Sequence, residues 1–260
     1  TFLGPHANST STETGILTDW PAEGPKIVWQ RELGEGYGIG SISRGRLYQF
    51  DRIGNQERLS CLHAETGKLL WEFEYPTTYV DMYGYDGGPR CSPVIEGNRV
   101  YLFGVEGLLQ CLDASNGQPL WSCDTAKKFG VIQNFFGVGS TPIICDDLLI
   151  CIAGGSPVED HSIPRGQLDR VTPNGSAVVA LDKRSGEVRY KMGDDLAGYA
   201  TPVPSTIGER QWCFAFCRKG LLAFEPKQGK LDFHYPWRSR KLESVNASTP
   251  VVVGNEVFIS

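Results

Sequence analysis

Four segments of the chain align without gaps about a glycine, and this recurrence restricts the fold more than any other property of the sequence. They are residues 61–71, 111–121, 180–190 and 223–233. In each, the glycine (Gly67, Gly117, Gly186, Gly229) is followed four residues later by an aromatic: Trp71, Trp121, Tyr190 or Phe233. Four residues before it stands a polar residue: His63, Asp113, Asp182 or Glu225. Hydroxyl–proline pairs recur in phase with these units, at Ser92-Pro93, Thr141-Pro142, Thr201-Pro202 and Thr249-Pro250. Successive glycines lie 50, 69 and 43 residues apart. Propeller blades repeat at about 40–50 residues.

Each unit reads as four short strands. In the second, apolar runs at 93–95, 99–103, 107–112 and 118–123 are parted by turns at Gly97-Asn98 and Asn116-Gly117, and Asn-Gly between apolar runs is a strong hairpin signal. The glycine supplies a positive φ that a Cβ would resist. The polar residue four before it is placed to accept hydrogen bonds from the turn. The aromatic falls on the outer strand, where a large flat ring can fill the gap between neighbouring sheets. The expected fold is an all-β propeller of four-stranded antiparallel blades, at about 38–75, 87–125, 137–193 and 198–237, with half a blade at 246–260. Residues 1–24 form an extended lead-in to a propeller domain at 25–260. Pro25-Lys-Ile-Val-Trp29 reads as an outer strand with no inner strands before it, the device by which a ring closes and hides its edges. The orphan strand and the half blade together predict a ring of seven or eight blades that continues past residue 260; a five-bladed ring closed on these residues is the alternative. The opening at Thr1, with no Met and no signal-peptide core, points to a processed or truncated start.

Composition narrows the class of partner. The net charge of −5 argues against nucleic acid, which wants a basic face. No apolar run is long enough to span a membrane as a helix. The eight cysteines include no Cys-x-x-Cys, so zinc and c-type haem frameworks have no support, and packed thiols are expected. Gly36-x-Gly38-x-Gly40 has the wrong spacing for a dinucleotide loop, and no Gly-x-Ser-x-Gly elbow occurs. His63 stands in the acidic slot of the repeat, which suits a local hydrogen-bonding role better than a catalytic one.

A meander places the turns between strands one and two, and three and four, at one end of the blades. Those turns are tight. The other end carries the long segments 76–90, 125–139, 155–176, 193–200 and 235–247. Irregular loops on a rigid scaffold carry function disproportionately, so this end is the candidate ligand or partner face. Its candidate residues are Tyr83, Tyr85, Asp86, Arg90, Asn134, Arg170, Asp195, Tyr199, Arg238, Arg240 and Asn246. Asp86, Asp195, Glu243 and Asn246 also have the oxygen chemistry for a hard cation, which needs about 6–8 converging oxygens.

Ala180-Leu-Asp182 and Thr66-Gly67-Lys68 with Trp71 carry the pattern of the pyrroloquinoline-quinone (PQQ) repeat, and the units from about residue 36 to 260 resemble that family. The lead-in Ser11–Trp29 and the stretch Pro173–Asp182 resemble bacterial secreted "PQQ-binding-like propeller repeat" proteins. The resemblance implies kinship both with quinoprotein alcohol dehydrogenases, which bind PQQ and calcium, and with the outer-membrane-assembly lipoprotein propeller, which binds neither. It places the chain in the bacterial envelope, periplasm or exterior. Two functions follow: a non-catalytic scaffold that binds a protein or glycan, or a PQQ-dependent dehydrogenase acting on alcohols or sugars. The dehydrogenases, as the resemblance implies, often stack the quinone against a disulfide of adjacent cysteines. No Cys-Cys pair exists in this chain, and the binding reading is preferred.

Overall fold

A computed structural model describes residues 10–132, 135–241 and 244–260. It contains four antiparallel sheets of four strands, each a simple meander. The first comprises β1 (Ser41–Ser43), β2 (Arg46–Ile53), β3 (Gln56–His63) and β4 (Leu69–Pro76). The second holds β5 (Val94–Glu96), β6 (Arg99–Phe103), β7 (Leu108–Asp113) and β8 (Pro119–Asp124). The third holds β9 (Ile143–Cys145), β10 (Leu148–Ile152), β11 (Val178–Asp182) and β12 (Val188–Met192). The fourth holds β13 (Val203–Ile207), β14 (Arg210–Phe216), β15 (Gly220–Glu225) and β16 (Lys230–Pro236). A two-stranded sheet follows, β17 (Val251–Val253) and β18 (Glu256–Phe258). Among the described residues helix is confined to α1 (Thr125–Phe129) and two 3-10 turns, Val158–Ser162 and Leu168–Arg170. These are the propeller blades that the repeat predicts.

The apolar cores lie between blades. Tyr48, Phe50 and Leu59 of the first sheet meet Val100, Leu102 and Leu112 of the second. On the opposite face of the second sheet, Tyr101, Phe103 and Leu109 meet Leu149, Val179 and Leu181 of the third. A middle strand is thus buried on both faces, so its apolar residues run on without alternation. The outer strand β4, by contrast, alternates between exposed and half-buried positions.

The repeat has a mechanical explanation. Trp71 pairs across the strands with Cys61, Trp121 with Cys111, Tyr190 with Ala180 and Phe233 with Ala223. A small residue is required there because the large ring stands opposite. Directly after each of these pairs the register slips at a bulge, in all four blades, and a bulge twists and re-aims a strand. The re-aimed ring lies on the turn glycine of the next blade. A Cβ at Gly67 would stand 2.7 Å from the Trp29 ring, at Gly117 2.6 Å from Trp71, and at Gly186 2.7 Å from Trp121; Gly229 lies likewise under Tyr190. Three of the four ring edges are tied down as well: Trp29 Nε1 donates to Ala64 O at 2.9 Å, Trp121 Nε1 to Lys183 O at 3.2 Å and the Tyr190 hydroxyl to Pro226 O at 2.6 Å, whereas the buried Trp71 Nε1 has no partner among the described residues. Glycine is needed twice over, for this approach and for φ values of +67° to +78° at the four turns.

Some details depart from the sequence reading. Residues 25–31 form no regular strand, yet Trp29 occupies an outer-strand aromatic's place on Gly67 and Arg31 pairs with Glu72 of β4 at 2.9 Å. The slot acids behave as expected: Asp113 accepts from Ser115 N, Asp182 from Arg184 N and Ser185 N, and Glu225 from Lys227 N and Gln228 N. His63 does not; its buried Nδ1 has no partner among the described residues. Phe233 lies on no turn glycine among the described residues, is 45% exposed and packs on Trp212 of its own blade. All eight cysteines are free thiols, and all but Cys145 are buried.

A carboxylate is buried in the seam between the first two blades. Glu57 is 1% exposed. Its Oε1 accepts from Val105 N at 3.0 Å and its Oε2 from the Tyr75 hydroxyl. Burial pushes the Glu57 carboxyl above its ordinary range, outweighing those two hydrogen bonds. A carboxyl whose folded pKa is raised costs stability once it ionises, so its burden falls as pH drops from its folded value towards the unfolded one. Glu57→Gln keeps both contacts, with the amide donating to the Tyr75 oxygen. It is expected to raise the melting temperature at neutral pH and to flatten its rise on acidification, measured between about pH 5 and 8. Equal slopes for the two proteins would refute this role for Glu57.

Candidate functional site: an aromatic deck on the loop face

The turns from first to second and from third to fourth strand lie at one end of the blades, and the long connections lie at the other, beside the short β2–β3 and β14–β15 hairpins. The connection from β4 to β5 is built around Arg90 and Asp81. Asp81 is 7% exposed; its Oδ1 accepts from Tyr83 N at 2.9 Å and Tyr85 N at 3.2 Å. Its Oδ2 accepts from the Tyr79 hydroxyl at 3.3 Å and from Arg90 Nη2 at 3.1 Å. Arg90 also donates to the carbonyls of Asp86, Gly88 and Phe136, and its guanidinium lies 4.9 Å from the Tyr37 ring centre. Burial alone would push the Asp81 carboxyl up. The N–H groups of Tyr85 and Tyr83, the Tyr79 hydroxyl and the Arg90 charge outweigh it and hold that carboxyl below its ordinary range.

This polar knot carries a layer of rings. Tyr83, Tyr85, Phe135, Phe136 and Tyr199 sit with neighbouring centroids 5.7–6.3 Å apart, within the range of favourable aromatic pairing. The Tyr199 hydroxyl accepts from Phe136 N at 2.8 Å, and burial raises its pKa. Phe135 is 3% exposed, whereas Tyr83 and Tyr85 are 45% and 71% exposed. Met82 and Val80 extend the same surface into solvent. Such an apolar patch on a polar, rigid base is a physical signature of a docking surface.

The sequence candidates therefore divide. Tyr83, Tyr85, Asp86, Arg90 and Tyr199 come together at the deck, with Arg90 and Asp86 beneath the rings. Asp86 accepts from Gly36 N at 3.0 Å and Gly88 N at 2.8 Å. Asp195 is fully buried and accepts from Lys219 N and Leu196 N, while Asn246 donates to the carbonyls of Cys217, Arg218 and Trp237. Both are staples within the loops of the fourth blade. Arg238 donates to Asp169. Arg170 is exposed and among the described residues bonds locally, to Gln167, and Arg240 is exposed. Asn134 and Glu243 lie outside the described residues. Arg218 and Asp169, which meet on the loop face, carry no mark in the sequence. A lone Arg in a hairpin and an Asp in a long insertion give no periodic signal.

Calcium-bound PQQ would need several free oxygen donors to meet at one point. The Asp86 and Asp195 carboxylates already accept backbone N–H groups on separate loops, and the Asn246 amide nitrogen faces three carbonyls. Among the described residues no three His, Cys, Asp or Glu side chains are grouped to hold a metal ion. Asp86, Asp195 and Asn246 therefore do not converge as a hard-cation centre requires.

Four-bladed recurrence, a bulge before each outer aromatic and rings seated on glycines define this chain as a PQQ-repeat β-propeller. The family model described as "Outer membrane protein assembly factor BamB" matches residues 14–158 and 80–260, and the chain belongs to that family. It is 21% identical over 175 residues to the outer membrane protein assembly factor BamB of Shewanella oneidensis, covering 61% of this chain and 41% of that protein. The crystal structure of BamB from Moraxella catarrhalis superimposes with a TM-score of 0.53 at 16% identity, over 86% of this chain and 56% of that one. A europium-containing methanol dehydrogenase superimposes as well, with a TM-score of 0.54 at 13% identity, over 80% of this chain and 44% of that one. These likenesses concern the fold. The chain spans 41% of the curated relative's length and about half of the two solved structures. No helix of the described residues is long and apolar enough to cross a membrane.

Proposed function

We propose that this chain is a non-catalytic binding propeller of the bacterial envelope that holds a protein partner on its loop face. The observation that supports this reading is the exposure of Tyr83 and Tyr85 on rings fixed by the buried Arg90–Asp81 knot. Tyrosines on a rigid base lose little freedom on binding and bury large area, which is why they dominate interface energies. Membership of the assembly-factor family supports a protein as the partner over a glycan, and an envelope location.

The paired substitution Tyr83→Ser/Tyr85→Ser tests it. Tyr85 is 71% exposed and Tyr83 45% exposed with ring contacts to lose, so the melting temperature should fall by only about 2–6 °C. Tagged chains would be incubated with detergent-solubilised envelope of the source bacterium, and bound outer-membrane assembly proteins quantified. Wild type and a turn-face control, Asn98→Ala, are expected to retain them, and the double variant to lose at least about tenfold. Equal recovery by all three would remove the deck from the function. Titration of the protein with PQQ and Ca²⁺ in a dye-reduction assay is expected to give no turnover, and saturable turnover would replace this reading with the dehydrogenase.

A further inference from the structure

The insertion between β10 and β11, residues 153–177, lies across the loop face and is anchored on both sides. At one anchor Arg165 donates to Val80 O at 2.8 Å and stands 4.9 Å from the Tyr79 ring centre. Four residues on, Asp169 reaches the loops of the fourth blade. Its Oδ1 accepts from Arg218 Nη2 at 2.8 Å and from Arg238 Nη1 at 2.6 Å. Between the anchors Leu168 and Val171 pack on Leu196 in a small apolar cluster of their own.

The two sides of the Asp169 contact are built differently. The Arg218 side chain, at the β14–β15 hairpin, is 2% exposed, while that of Asp169 is 44% exposed. A guanidinium presents five N–H donors in a rigid fork suited to gripping two oxygens at once. Asp169 meets the fork through one oxygen and one nitrogen. Arg218 Nε and Nη1 are buried with no hydrogen-bond partner among the described residues. A buried charged donor left unsatisfied is costly, so this arginine is held in place with more donor capacity than the chain's own carboxylate uses.

We propose that Arg218 and Arg238 form a recognition site for the oxyanion of a small ligand, a carboxylate or a phosphate, and that Asp169 of the insertion occupies it as an internal competitor. The ligand takes the place of Asp169 on Nη2 and, with a second oxygen, engages the neighbouring donor on one edge of the fork, Nε or Nη1, which Asp169 does not reach. Its binding releases one anchor of the insertion while the Arg165 anchor holds. This site is separate from the tyrosine deck, and its failure would leave the proposed function untouched.

The test uses the full chain at constant ionic strength in chloride buffer. Asp169→Asn removes the competing charge, and an internal competitor lowers apparent affinity by the fraction of time it occupies the site. Titration calorimetry with inorganic phosphate, and in a second arm with citrate, is expected to show binding at least about tenfold tighter to D169N than to wild type. The arm that binds tells phosphate from carboxylate recognition. Adding Arg238→Met to D169N should abolish the gain. The Arg Nε–Hε resonances of the wild-type chain titrated with the same anions provide the readout even if D169N does not fold, with Arg218 expected to shift. Equal affinities in wild type and D169N, retention of binding in D169N/R238M, or no response to either anion would overturn the proposal.

Discussion

The Gly186→Val variant is expected to melt about 10 °C below the wild-type chain. Two losses add. Gly186 has φ +75°, and a side chain in the left-handed region costs about 1–2 kcal/mol. A Cβ would also stand 2.7 Å from Trp121 Cδ2, so the indole must leave its seat. It would give up its bond to Lys183 O, worth about 1 kcal/mol, and part of its packing between the second and third blades. The sum is about 3–4 kcal/mol, and in a chain of this size each costs about 2–4 °C. Gly208 supplies the control, since its φ is +63° with nothing within 4 Å of a Cβ. Gly208→Val should suffer the backbone strain alone and lose less than half as much. Calorimetric melts of both variants decide the matter. Equal losses would show that the ring-on-glycine contact does not hold the blades together.

The same contact shows how much of the fold could be read before any coordinates. Gly67, Gly117, Gly186 and Gly229 and their aromatics recur in register because each junction between blades needs a ring and a flat place to lay it. That demand is local in sequence, so it is legible there. The bulge between Cys61 and Leu62, and its three counterparts, was not legible, because one extra residue in a strand leaves no mark on an apolar run. The small residues at 61, 111, 180 and 223 revealed a slot but not the ring that faces it. Trp29 shows a different limit: its partner is the β3–β4 turn of the first blade, and no regular strand carries it there.

The loop face was legible as a place and not as a mechanism. Connection lengths alone assign the long segments to one end. Which of their residues meet depends on contacts between positions far apart in the chain, such as Arg165 with Val80 and Asp169 with Arg218. Aromatic and charged candidates in those loops looked alike in the sequence. Coordinates separate Tyr83 and Tyr85, which face solvent, from Asp195 and Asn246, which are consumed in fastening their own loops.

Arg90 decides whether the deck exists at all. Its side chain is 7% exposed and serves Asp81, Asp86 and the carbonyls of Asp86, Gly88 and Phe136. Arg90→Met retains the bulk and removes every one of those donors, leaving Asp81 charged and buried without its cation. Breaking a buried pair from one side costs about 3–5 kcal/mol, and the urea midpoint should fall accordingly. Arg90→Lys should recover little of it, because a compact ammonium cannot span acceptors arranged for a fork. Near-ultraviolet circular dichroism should weaken in both variants as Tyr83, Tyr85 and Phe136 lose their fixed packing. Acid dependence gives an independent check. The folded Asp81 pKa lies below its ordinary value, so its stabilising contribution is present above the ordinary aspartate range and is lost as pH falls through the lowered one. Without the Arg90 charge that depression shrinks, and the stability of Arg90→Met should fall less steeply on acidification than that of wild type. A variant that melts and titrates like the parent would mean that the rings support themselves and that the knot beneath them is incidental.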